Sequence, residues 1–214
     1  MLMNYFKKLI YTVAVIASFS SNAGSFEDFF VAIRNDNAGV VNGLLDRGFD
    51  PNTRDEKGQP GLTIAMQERA LNVARALLAR PGIDINALNQ AGESALMMAA
   101  LKGDLNGAQL LLERGAKVNQ PGWSPLHYAA TGGSAAIVKL LLSKGAPLEA
   151  RSPNGSTPLM MAARYGNEEA VDALLAAGAD RTVKNDLGMD AAAFAASAGR
   201  DRLAARLKPV ASAK

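Results

Sequence analysis

The sequence predicts an all-α solenoid of stacked helix-turn-helix units. Three observations carry that prediction. Short apolar runs at helical spacing come in pairs, most of them closed by Gly, and equivalent positions recur about every 33 residues. Ala and Leu dominate the 214 residues while aromatics make up 6%, which suits closely stacked helices better than a sheet. One such unit cannot bury its own apolar face, so it needs copies on either side.

The chain opens on a segment outside this pattern. Lys7 and Lys8 precede the apolar run Leu9–Phe19, and Ser21-Asn22-Ala23 supplies small residues. That layout predicts a secretory signal peptide over 1–23, cleaved after Ala23. The run falls short of the ~20 residues a membrane span needs. No Cys follows it, which excludes a lipid anchor, and the chain has no Cys at all. An exported chain of this kind must be held by packing, with no disulfide. Without Lys7 and Lys8 the formal net charge of +3 falls to about +1. So small a charge gives little attraction to phosphate and argues against a nucleic-acid partner.

Aligned on one apolar helix position, the units fall at Phe29, Leu62, Leu96, Leu126, Leu159 and Ala192. Unit one (25–58) carries Phe26, Phe29, Phe30 and Ile33 on its first helix and reads as an N-terminal cap. Unit two (59–91) has an extra residue near Pro81-Gly82, and unit three (92–121) is followed by a shortened loop, Gln120-Pro121-Gly122. Unit four (122–154) is the clearest copy. Ser124-Pro125 offers a capping hydroxyl and a Pro at the first helical position, and Gly132-Gly133 supplies the stop. Its second helix is striped by Ile137, Val138, Leu140, Leu141 and Leu142. Unit five (155–187) repeats the pattern. Unit six (188–207) replaces the opening with Asp190-Ala191-Ala192, and its Arg200, Arg202 and Arg206 read as the solvated face of a C-terminal cap. Residues 208–214 read as a frayed tail.

Ser124-Pro125-Leu126-His127-Tyr128-Ala129 and Thr157-Pro158-Leu159 resemble the T-P-L-H-x-A signature of ankyrin repeats. The turns Gly115-Ala116-Lys117-Val118-Asn119 and Gly178-Ala179-Asp180 resemble that family's closing G-A-D-V-N. The resemblance covers about residues 25–207. It implies a solenoid with projecting hairpin-like loops that binds a protein partner through its concave face and loop tips, as a monomer and without catalysis. Joined to the leader, it places the expected protein in the periplasm of a Gram-negative bacterium, or outside the cell. Two narrower readings stay open at this point: an accessory factor for an oxidative-stress enzyme or for copper, and a secreted effector acting on host proteins.

Residues able to carry chemistry are few. His127 is the sole histidine and resembles the family's structural His, which bonds the turn backbone and neighbouring loop. Met97-Met98 and Met160-Met161 could hold Cu(I) as soft ligands, but Met also fills core gaps, and unit four separates the pairs. The carboxylates Glu168-Glu169 and Asp36 read as helix-start residues favoured by the dipole. The Asn154-Gly155-Ser156 sequon reads as turn chemistry. Nothing assembles a nucleophile, base, metal or cofactor site, so no catalytic residue, metal or cofactor is expected.

What remains is surface. Carrying the family's binding positions over residue by residue gives Trp123, Glu93, Leu101, Lys102, Arg164, Tyr165, Arg34 and Glu68, with Arg151 and Asn154 at the loops. Trp123 is the sole Trp and follows the shortened loop. Two roles are open to it: offered in the groove beside Leu101 and Tyr165 as a binding hot spot, or folded over the gap as a cover.

Overall fold

A computed structural model describes residues 24–208; the expected signal peptide over 1–23 and the end of the expected tail, 209–214, lie outside the described residues. The described residues form six helix pairs: α1 (24–34) with α2 (Ala38–Asp46), α3 (Gly61–Gln67) with α4 (Leu71–Leu78), α5 (Ala95–Leu101) with α6 (Leu105–Glu113), α7 (Pro125–Thr131) with α8 (Ala135–Ser143), α9 (Pro158–Tyr165) with α10 (Glu168–Ala176), and α11 (Ala191–Ser197) with α12 (Asp201–Leu207). The architecture is the expected all-α solenoid, in which each pair packs on the next.

Helices this short are marginal alone, so their ends and neighbours hold them. Ser94, Ser134, Thr157 and Asp190 accept from backbone N–H groups of their own helices at Met97, Ile137, Met160 and Ala193. Most stops use left-handed Gly, for example Gly133 (φ 75°) after α7 and Gly145 (φ 86°) after α8. Asp36 does not sit at a helix start. It lies in the turn after α1 at φ 50° and accepts from Val73 N–H and Asn72 Nδ2 at 2.9 and 2.8 Å, capping α4 of the next unit. The sequence places the carboxylate correctly near a helix dipole but on the wrong helix.

Between units the first helices approach backbone to backbone. Ala99, Ala100, Ala129, Ala130, Ala162 and Ala163 are fully buried. A Cβ on Gly132 would stand 2.4 Å from the Leu101 carbonyl oxygen, and one on Gly166 would stand 2.3 Å from that of Ala130. Behind them Leu77, Leu111, Ile137, Leu141 and Leu174 form one continuous core. The expected solvated face of unit six needs one correction. The Arg200 guanidinium donates to the carbonyls of Ala162, Ala163 and Gly166, closing the carbonyl end of α9. Arg206 meets Glu168 and Asp172 on the surface.

The loops are hairpin-like in their bonding, since the N–H groups of Asp55, Asn89, Ser152 and Asn185 donate to the carbonyls four residues on. Only an isolated bridge, Arg54 with Pro60, is strand-like among the described residues. A ladder of side chains below the loops locks unit to unit. Asn52 donates to the Gly82 carbonyl at 2.9 Å and accepts from Asp84 N–H at 2.8 Å. Asn119 donates to the Gly145 carbonyl at 3.3 Å, and Asn86 accepts from Lys117 N–H at 2.8 Å. In unit four the same position holds Glu149. Its Oε1 accepts from Asp180 N–H at 2.9 Å, but Oε2 is buried with no partner, where an Asn would present a donor. Replacing Glu149 by Asn is therefore expected to raise stability by about 0.5–1.5 kcal/mol. That is a gain of roughly 2–4 °C in Tm by calorimetry; an unchanged or lower Tm would refute the assignment.

Candidate functional site

Three consecutive first helices end side by side on one face: α5 at Leu101, α7 at Thr131 and α9 at Tyr165. Unit four enters that face through the shortened loop. The other loops carry a hydrogen-bonded tip, but here Gln120 instead reaches back to the Gly92 carbonyl at 3.0 Å. Trp123 follows and lies half-buried. Its ring meets the His127 imidazole edge-on, with centroids 5.4 Å apart. Trp123 also lines a depression of about 250 Å³ with Leu101, Tyr128, Thr131 and Met161. The indole thus covers the turn and also walls a recess beside Leu101.

His127 explains why this wall is rigid. It is fully buried, and Nδ1 faces both Ser124 N–H at 3.2 Å and Ser124 Oγ at 2.8 Å. An amide N–H can only donate, so Nδ1 is the unprotonated nitrogen. Nε2 then carries the proton to the Ser156 carbonyl at 3.0 Å, tying unit four to unit five. Burial holds the imidazole pKa below its ordinary value, partly opposed by the Ser156 carbonyl. Met97 and Met160 occupy the same place in their own units. Their sulfurs accept from Ser94 N–H and Thr157 N–H at 3.4 and 3.3 Å. The Met pairs are thus scaffold on one side, with Met97 and Met160 fully buried, while Met161 faces the depression.

Tyr128 forms the remaining wall. Its hydroxyl donates to Glu93 Oε1 at 2.8 Å, and Glu93 Oε2 accepts from Asn89 Nδ2 at 2.8 Å. Burial first, then the Glu93 bond and charge, push the phenol pKa well above its usual range, so it remains a neutral donor.

The structure brings together two of the sequence-predicted residues, Trp123 and Leu101, with Lys102 next along the chain as the cap of α5. Glu93 acts one step behind the wall. Tyr165 does not line the depression; it stands 56% exposed beside Arg164, whose guanidinium lies 5.2 Å from its ring centroid and donates to Ser197 Oγ. Arg151 is tied to the Lys184 carbonyl at 3.0 Å, and Asn154 is folded into its own turn through Ser152 Oγ at 2.6 Å. Glu68 is exposed at the end of α3. Arg34 lines a separate, charged depression of about 510 Å³ with Phe26, Phe30 and the loop Asp55–Lys57. Sequence reasoning missed Tyr128, Thr131 and Met161 as groove residues. Register was the available signal, because Thr131 stands where Leu101 and Arg164 stand in their units, and Tyr128 where Met161 stands. Among the described residues no helix is long and apolar enough to cross a membrane, and no group of His, Cys, Asp or Glu is arranged to hold a metal.

Known proteins share the pattern. A family model described as ankyrin repeats (3 copies) matches residues 29–122 and 117–185. A Treponema pallidum (strain Nichols) protein described as ankyrin repeat-containing is 37% identical over 94 residues, covering 44% of this chain and 31% of that protein. The human transient receptor potential cation channel subfamily A member 1 is 35% identical over 74 residues, 35% of this chain and 7% of the channel. The chain thus matches under a third of the length of either relative.

With a single histidine, this protein offers a clean titration between pH 7 and 5.5. The unfolded imidazole takes up a proton near pH 6.5 while the folded one, held lower, resists it. Stability is full above that value and falls as pH drops toward the folded pKa, by up to about 1.4 kcal/mol per pH unit. Urea unfolding at pH 7.0 and 5.5 should show that loss. His127→Met copies the neighbouring units, so it should cost about 1 kcal/mol at pH 7 for the missing Ser156 bond and flatten the pH dependence. A variant as pH-sensitive as wild type would refute this account.

Proposed function

The chain belongs to the ankyrin-repeat family, a general protein–protein interaction module, and on that premise we propose that it is a non-catalytic, monomeric binding protein whose concave face captures a partner at Trp123. The family is typically non-catalytic, and its repeats imply protein partners. The observation that carries the assignment to a surface is the apolar depression walled by Leu101, Trp123, Tyr128, Thr131 and Met161. Trp and Tyr are enriched where binding energy concentrates. These side chains are already fixed by α5, α7 and α9, so little ordering entropy is lost on binding.

Lys7, Lys8, the run Leu9–Phe19 and the small residues to Ala23 support export to the periplasm or beyond. The absence of Cys from all 214 residues leaves the solenoid no thiol for an oxidising compartment to act on.

Two measurements test these readings. The protein isolated from the cell envelope should begin at Gly24 by N-terminal sequencing; a chain retaining Met1 in the cytoplasmic fraction would overturn export. Leu101→Arg places a charge in the half-buried rim of the depression. It should keep wild-type helicity and reduce recovery of the envelope partner at least about tenfold, the scale of one lost hot spot. Undiminished recovery would show that the partner sits elsewhere.

A further inference from the structure

Unit two departs from the repeat at the points that hold a helix pair together. Asn37, Asp104, Ser134 and Asn167 each cap the second helix of their own unit through a side-chain oxygen. At that position unit two has Ala70, which offers no cap, and α3 begins after Pro60, which offers none either. The residue before the cap turns the chain left-handed. Units three and four use Gly103 and Gly133 there (φ 67° and 75°), but unit two uses Arg69 at φ 58°. A side chain in that region crowds its own carbonyl oxygen through Cβ, a cost that Gly escapes. The buried Thr63 hydroxyl adds a further cost, since it has no partner.

What unit two lacks, unit one supplies. Asp36 accepts from Val73 N–H at 2.9 Å, the third N–H of α4 that an N-cap side chain would take, and from Asn72 Nδ2 at 2.8 Å. Arg80 donates to Asp46 Oδ1 at 2.6 Å and to Asn42 Oδ1 at 2.7 Å. Beneath these bonds unit one presses on α3, where a Cβ on Gly61 would stand 3.0 Å from Ile33 Cδ1 and 3.1 Å from Phe29 Cε1. Phe29 and Ile33 are fully buried and lose this cover if unit two opens. The join to unit three is lighter. Besides the stacking of α3 on α5 it has the Arg69 guanidinium on the Lys102 carbonyl, Arg114 on the Leu78 carbonyl at 2.7 Å, and Lys117 N–H on Asn86 at 2.8 Å. No ion pair crosses it among the described residues.

We propose that units one and two form one cooperative block that opens at the seam between unit two and unit three while units three to five stay folded. In a solenoid, stability is a sum of unit and neighbour contributions, so a weak second unit that leans on the first makes the two rise and fall together. At the other end α12 also lacks a side-chain cap, but Gly199 (φ 71°) makes its turn and Arg200 closes α9. The inference does not depend on where a partner binds. Leu101, Trp123, Tyr128, Thr131 and Met161 belong to units three to five, so the recess outlasts the opening.

Native-state hydrogen exchange on the purified protein, read by mass spectrometry on peptides from α1–α4 and from α7–α10, tests this block. The four N-terminal helices should share one level of protection, at least about tenfold below that of α7–α10, and lose it together as urea rises. Asp36→Ala should lower protection in all four by about fivefold, the scale of one helix cap, and leave α7–α10 within about twofold of wild type. If that variant loses the block's protection altogether while α7–α10 hold theirs, the block is equally supported. Adding Ala70→Ser, which copies Ser134, should recover most of the loss because unit two then caps its own helix. Exchange of α1 and α2 ahead of α3 and α4, or one protection shared by all helices, would overturn the proposal. So would an Asp36→Ala effect confined to α4 or left unrescued by Ala70→Ser.

Discussion

The contact on which the rest of the structure depends is the backbone approach between successive first helices. Leu101 and Gly132 meet at a distance that leaves no room for a Cβ, and Ala130 and Gly166 do the same one unit on. Close packing of small residues leaves the interface little lateral freedom. Every other inter-unit bond is a consequence of that fixed spacing. It lets Asp36 reach the first turn of α4, Asn52 reach Gly82, and Arg200 reach three carbonyls of α9. It also places side chains at the helix ends in predictable rows. The recess lies in one such row, where Leu101 and Thr131 stand at the same register in successive units.

Departures from the repeat have different consequences according to what they leave unpaired. Pro60 begins unit two without an N–H, so the buried Thr63 hydroxyl, standing where His127 stands in unit four, finds no partner. Glu149 replaces an Asn and strands one carboxylate oxygen. Both are costs to folding with no visible return. The departure at the start of unit four is of another kind. Three residues of loop are missing relative to the 33-residue spacing, yet Gln120 and Trp123 absorb the change without a stranded polar atom. A loop deletion that leaves its neighbours satisfied, and brings the sole Trp to the groove, alters the surface and not the scaffold.

The helices, their order and their caps were legible because they are written in local chemistry. Ser or Thr before Pro, Gly at the stop, and an apolar stripe of period 3.6 each act within a few residues. Groove membership was legible only in part. Trp123 stood out as the sole Trp, and Leu101 came from its position in the repeat. Tyr128, Thr131 and Met161 did not, since their exposure depends on how far two neighbouring helices are offset, which no local pattern encodes. Charged and amide residues were hardest to place. Arg200 looked solvated and is spent on α9, while Arg151 and Asn154 looked available and are bonded within the loops. An arginine and an exposed carbonyl one unit away look the same in sequence whether or not they meet.

Charge at the helix ends follows the same rule. Residues 24–214 carry a formal charge of about +1. The ends beside the recess mix the two signs, with Arg69, Lys102, Arg164 and Arg200 among Glu68, Asp104, Glu168 and Glu169. Arg69 and Arg200 close carbonyl ends, Asp104 caps α6, and Glu168 meets Arg206. These charges serve the ends of the helices, where the macrodipole rewards them. The recess itself is walled by Leu101, Trp123, Tyr128, Thr131 and Met161. What this part of the groove offers is therefore apolar area held in place by α5, α7 and α9, and not a field of one sign.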